Sequence, residues 1–186
     1  MSMSNSAKLI FLCGKMAAGK STLARNVADR ENAVLFVQDD FLDTLFPGEI
    51  TDIHGFVRCS SRLKNALTPQ ICALLSKGIS VVLDFPGNTK TQRAWFRQLI
   101  ESTNVEHELH FVDASDTLCK AQLRDRSKGS PAGTPWTTDA APKRLRCVYE
   151  VGRYRTRWHE VQRLVTHPVR ALFLPTISAA NLPQPF

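Results

Sequence analysis

Residues Leu9-Ile10-Phe11-Leu12-Cys13-Gly14-Lys15-Met16-Ala17-Ala18-Gly19-Lys20-Ser21-Thr22 open on an uninterrupted apolar run and continue as G-x-x-x-x-G-K-[ST] from Gly14 to Ser21. The run suits a strand buried on both faces of a parallel sheet. The segment that follows, Thr22-Leu23-Ala24-Arg25-Asn26-Val27-Ala28, carries apolar side chains at helical spacing. Strand, glycine loop and helix together let backbone N–H groups turn inward around phosphate oxygens, with the partial positive charge of the helix N-terminus behind them. The loop Gly14, Lys15, Met16, Ala17, Ala18, Gly19, Lys20, Ser21 and Thr22 is therefore the candidate nucleotide-binding element. Lys20 is placed to reach the β- and γ-phosphates, and the Ser21 hydroxyl to bind Mg²⁺.

The rest of the chain repeats the alternation. Apolar runs at 33–37, 79–83 and 107–112 read as further strands, with helical periodicity near 57–76, 89–101 and 115–127 and a shorter apolar run at 171–174 as a fifth strand. Pro69 either kinks its helix or begins a new one. That order predicts an α/β fold with a parallel sheet flanked by helices. At 186 residues the chain suits a single domain, in which Gly and Pro at 127–142 suggest a lid, 143–170 a basic helical segment and 171–186 an apolar tail.

Ligands of parallel sheets bind at the carboxyl ends of strands. The second run ends in Asp39-Asp40 and the third in Asp84. Asp39 is the candidate proton acceptor for an attacking hydroxyl, Asp40 the fallback, and capping of the next helix the alternative for the pair. Val81-Val82-Leu83-Asp84 is Walker B-like, which makes Asp84 a second candidate ligand of Mg²⁺. Arg124 and Arg126 precede the expected lid, where guanidinium groups would stabilise a transferring phosphoryl group or, alternatively, only close a helix C-terminus. Arg62 and Arg93 are further candidate substrate contacts. Asp84-Phe85-Pro86-Gly87 also fits the D-x-x-G of switch GTPases, but no guanine-specific N-K-x-D follows. The five histidines show no metal-ligand spacing.

The formal net charge is +7, and residues 143–170 supply most of it: eight Lys or Arg against two Glu, a local +6. With Tyr149, Tyr154 and Trp158 interleaved, this stretch reads either as a nucleic-acid contact or as a solvated helix face. Five scattered cysteines with no CxxC pair, a short polar N-terminus and no apolar run near 20 residues lead to the expectation of a reduced, cytoplasmic protein off the membrane. Oligomeric state is not encoded in any of these features.

The set GKMAAGKSTLAR, VQDDFL, VVLDFPGNTKTQR and LCKAQLRDRS resembles the small P-loop kinases, a group that includes zeta toxins, chloramphenicol phosphotransferase, the kinase domain of polynucleotide kinases and many bacterial "AAA family ATPases". The resemblance covers about residues 8–142. It implies a five-stranded parallel sheet of order 2-3-1-4-5 and ATP-dependent phosphorylation of a hydroxyl, for which a small molecule such as an antibiotic or metabolite is the expected acceptor. It also implies a base at Asp39 and lid arginines at Arg124 and Arg126. In polynucleotide kinases an arginine that binds the substrate phosphate follows the Asp pair; Leu42 stands at that position here. The alternatives are a nucleic-acid-associated protein or end kinase, and an ATP-binding module that transfers nothing.

Overall fold

The computed structural model describes residues 7–127, with side chains to 125. The expected lid from 128 on, the basic segment, the fifth strand and the apolar tail lie outside the described residues. Nine elements follow in chain order: β1 (Lys8–Gly14), α1 (Lys20–Arg30), β2 (Val34–Val37), α2 (Gln38–Leu45), α3 (Ile53–Ser76), β3 (Val81–Asp84), α4 (Lys90–Thr103), β4 (Glu106–Val112) and α5 (Asp116–Ser127). The four strands form one parallel sheet in the order β2-β3-β1-β4, which reproduces the first four positions of the expected 2-3-1-4-5.

Alternation along β1 sorts its side chains into two cores. Leu9, Phe11 and Cys13 point to the face covered by α2, α3 and α4, where they meet Phe36, Leu42, Leu63, Phe85 and Phe96. Ile10 and Leu12 point to the other face, against Ala24, Val27 and Ala28 of α1 and Val82 of β3. Both faces of β1 and β3 are thus dry, which is why those runs lack polar alternation. The second strand was expected to be equally buried. It is not: β2 is the outer strand and Val34 is 38% exposed, because a terminal strand has a neighbour on one side only.

α3 runs unbroken through Pro69 and begins earlier than its apolar spacing suggests, at an Asp52 cap whose side chain accepts from the Gly55 N–H at 2.6 Å. α4 carries a capping box: the Thr89 hydroxyl accepts from the Gln92 N–H at 3.1 Å, and Gln92 Oε1 accepts from the Thr89 N–H at 3.0 Å. Phe96 on α4 stacks on Phe11 with ring centroids 4.6 Å apart and is 1% exposed. Phe96→Ala is therefore expected to cost about 3–5 kcal/mol of stability, measured by urea unfolding followed by tryptophan fluorescence.

Candidate active site

The loop after β1 is shaped by backbone conformations few residues adopt. Gly14 has φ +148°, and a Cβ there would lie 2.6 Å from the Val112 carbonyl oxygen of β4, so the approach of the neighbouring strand admits only glycine. Ala17 adopts φ 55° and Gly19 φ 92°. Ala17 holds its left-handed conformation while packed against Leu123, and Ala18 packs with Val112, Ala114 and Cys119. Gly19 is the N-cap of α1; it offers no side-chain hydrogen bond, and the first turn contains no acidic residue. Those first amides thus lack a side-chain acceptor of their own.

Lys20 lies across this loop, donating to the Gly14 carbonyl at 3.0 Å and the Lys15 carbonyl at 2.7 Å. Burial pushes its ammonium below the ordinary lysine range, while Asp84, Cys13 and Asp39 oppose that shift. The Lys15 side chain turns away from the loop to Asp116 at 2.6 Å and the Ala114 carbonyl at 3.0 Å, at the start of α5. Met16 packs beside Ala17, and half-buried Ser21 and exposed Thr22 occupy the first turn of α1.

β2 and β3 run side by side with Val37 opposite Asp84, which delivers Asp39 and Asp84 to the same end of the sheet as the loop. Asp39 is pushed up to about 6, first by desolvation and then by the negative charge of Asp84, with Lys20 pulling the other way. Its surface is nevertheless open to solvent. Neither Asp39 nor Asp40 is a cap. Val37 holds the N-cap position of α2 and both aspartates lie in its first turn, because the helix starts directly from the strand.

The arginines diverge. Arg93, a candidate substrate contact in the sequence, is instead 8% exposed and turned inward: its Nη1 donates to the Gly87 and Asn88 carbonyls, both at 3.0 Å. Arg62 is exposed on α3, paired with Glu49 at 3.1 Å and lying over the Phe46 ring, and no contact ties it to the loop. Arg124 is exposed in the last turn of α5, and Arg126 is the next-to-last residue of the same helix. The spacing of residues 84–93 hid one participant: Asn88, whose Oδ1 accepts from the Gly14 N–H at 3.1 Å. The Thr89-to-Gln92 capping pattern was the available signal, since it fixes where the loop must stop.

Comparison with known proteins gives the family. Residues 9–143 match the AAA domain family AAA_33. The chain belongs to that family, a group of small P-loop kinases. Beside AAA_33 membership, the chain is 36% identical over 80 residues to a shikimate kinase of Actinobacillus succinogenes, an overlap of 40% of this chain and 46% of that protein. The chain thus spans about half the length of that curated relative. Among solved structures, a candidate kinase from Chloroflexus aurantiacus J-10-fl superposes with a TM-score of 0.58 at 22% identity, over 82% of this chain and 80% of that one. The Mycobacterium tuberculosis APS kinase CysC, solved with AMPPNP and APS, gives 0.54 at 17% identity over 72% and 79%. At such identities the likeness establishes the AAA_33 chain's fold: a parallel sheet flanked by helices, as its sequence predicted.

A raised aspartate makes folding pH-dependent. The folded state holds the Asp39 proton more tightly than the unfolded state, so its stability contribution is present below about pH 4 and is lost as pH rises through about 6. Asp39→Asn should therefore raise the urea midpoint at pH 7 and flatten its decline between pH 4 and 7. Equilibrium unfolding at a series of pH values checks this.

Proposed function

We propose that this protein is an ATP- and Mg²⁺-dependent phosphotransferase acting on a hydroxyl group of a small molecule, such as an antibiotic or metabolite. The observation that carries the reading is the convergence, at one end of the sheet, of an uncapped helix N-terminus, a desolvated lysine and an aspartate raised to about 6. Two of these features suit a polyphosphate and the third suits proton transfer. Membership in a family of P-loop kinases supports it.

The donor set suits the metal. The Ser21 hydroxyl and the Asp84 carboxylate are hard oxygen ligands, and the mutual repulsion of Asp39 and Asp84 is of the kind a cation relieves. No cluster of three or more His, Cys, Asp or Glu stands ready to hold a metal among the described residues, so phosphate oxygens would complete the shell, as Mg²⁺ commonly requires. When bound, the ion neutralises charge on the phosphate tail.

Lys20 exchanges the Gly14 and Lys15 carbonyls for phosphate oxygens, and the loop amides and first turn of α1 orient the tail. Asp39 takes the proton of the acceptor hydroxyl as its oxygen bonds to phosphorus and the bond from phosphorus to the leaving diphosphate oxygen breaks. Arg124 and Arg126 are the proposed lid contacts, with Asp40 and Arg62 at the acceptor side. The four cysteines described are free, in keeping with a reducing compartment such as the cytoplasm.

A polynucleotide end is the less favoured acceptor. Leu42, at the position where polynucleotide kinases carry their phosphate-binding arginine, is fully buried in the core. An ATP-binding module without transfer would bind nucleotide and release no ADP with any acceptor.

A panel of antibiotics and hydroxylated metabolites screened for Mg²⁺-dependent ADP release tests the reading. With the acceptor so found, Asp39→Asn should lose about 10²–10⁴-fold in kcat while its affinity for Mg-ATP survives in calorimetry. The acidic limb of kcat/KM in the wild type should have its midpoint at about 6 and vanish in that variant. Lys20→Met should instead weaken nucleotide binding itself. Full transfer by Asp39→Asn refutes the base.

A further inference from the structure

The parallel ladders on the two sides of β1 end at different heights. Towards β4 the pairing continues to Gly14 opposite Val112. Towards β3 it stops at Phe11 opposite Leu83, and β3 itself ends at Asp84. The last residues of β1 thus have no strand on that side, at the point where the phosphate loop begins. A central strand left unpaired there would expose a backbone donor in the floor of the proposed cleft.

Asn88 fills the gap. Its Oδ1 accepts from the Gly14 N–H at 3.1 Å and from the Cys13 thiol at 3.3 Å, and two converging donors fix which end of the amide is oxygen. The Asn88 backbone is itself held on both sides. Its N–H donates to Gln92 Oε1 at 2.9 Å, and its carbonyl accepts from Arg93 Nη1 at 3.0 Å. Arg93 Nη1 also binds the Gly87 carbonyl, which is the alternative acceptor, at 3.5 Å, for the single Cys13 thiol proton. Gly87 has little freedom to retreat, since a Cβ on it would meet the Phe96 ring at 3.1 Å and the Leu12 carbonyl at 3.2 Å. The α4 capping box therefore reaches, through one side-chain amide, to the first residue of the phosphate loop.

We infer that Asn88 is a positioning residue: its side chain takes the place of the missing β3 backbone and fixes Gly14, so that the phosphate loop and the loop that follows Asp84 keep one relative geometry before any ligand arrives. Gly14 also offers the carbonyl that Lys20 holds, so a shift at Gly14 moves the lysine's resting partner. The inference rests on the proposed triphosphate site for its consequence, though not for its geometry. Preorganisation of this kind acts on binding and alignment more than on the chemical step.

The test compares the wild type with Asn88→Leu, of similar size without an acceptor, and Asn88→Asp, which restores an oxygen. Amide hydrogen exchange at Gly14 reads the contact directly, with Ile10 and Leu12 of the same strand as internal controls. Expected are roughly 3- to 10-fold faster exchange at Gly14 in Asn88→Leu, the equivalent of one neutral hydrogen bond, near wild-type exchange in Asn88→Asp, and unchanged controls. Mg-ATP affinity of Asn88→Leu should fall by a similar factor, with kcat at saturating nucleotide moving less. Should Asn88→Leu not fold, Asn88→Ala carries the same comparison. Unchanged Gly14 exchange in the folded variant overturns the inference, as does equal slowing of binding and turnover with faster exchange at all three amides. Wild-type protein that takes up no Mg-ATP would sink the proposed function, while the exchange measurement would still decide the role of Asn88.

Discussion

The amides at the start of α1 find no side-chain acceptor within their own helix, because Gly19 at the cap position has no side chain and the first turn has no acid. Buried or half-buried donors without partners carry a cost of about 1–3 kcal/mol each, so such an arrangement persists where something else supplies the acceptor. Lys20 cannot, being a donor itself. It occupies two loop carbonyls, which leaves both the lysine and the amides oriented towards the same space. The rest of the molecule is organised around keeping that space in shape.

Each wall of the space has a different physical origin. One is steric: the β4 backbone presses against Gly14 so closely that no side chain fits. Another is electrostatic. Asp84 ends β3 opposite Val37, and Asp39 stands two residues beyond Val37 in the first turn of α2. Desolvation, and after it the charge of Asp84, lifts Asp39 to about 6, within the range where a carboxylate can exchange protons near neutrality. A third is the hydrogen-bonded loop from Gly87 to Gln92, which Arg93 secures from inside and Phe96 supports from below. Arg93 thus contributes as an internal strut rather than as a ligand contact.

Much of this was legible before any fold was known. The phosphate-loop pattern with its strand and helix, the acids that end the second and third apolar runs, and the βα alternation are local signals, and local signals survive in sequence. Three readings fail for the same reason. The second strand reads as buried because its residues are apolar, yet at the edge of the sheet only Phe36 of its four residues is buried. Capping by the Asp pair, the alternative reading, fails because the helix begins one residue earlier. Arg93 reads as a candidate substrate contact, yet it is enclosed.

By itself, then, the sequence determined the parallel α/β class, the position of the phosphate loop and the strand-end acids, since each follows from residue type and spacing along a few consecutive turns. The order of the strands came with the family resemblance, not with spacing, and only the tertiary structure decided the proximity of Asp39 to Asp84 and the service of Asn88 to Gly14. Those relations join residues separated by 45 positions between the two acids and by 74 between Asn88 and Gly14. Such distances carry no periodicity, and which groups meet across them depends on how the sheet and its helices pack.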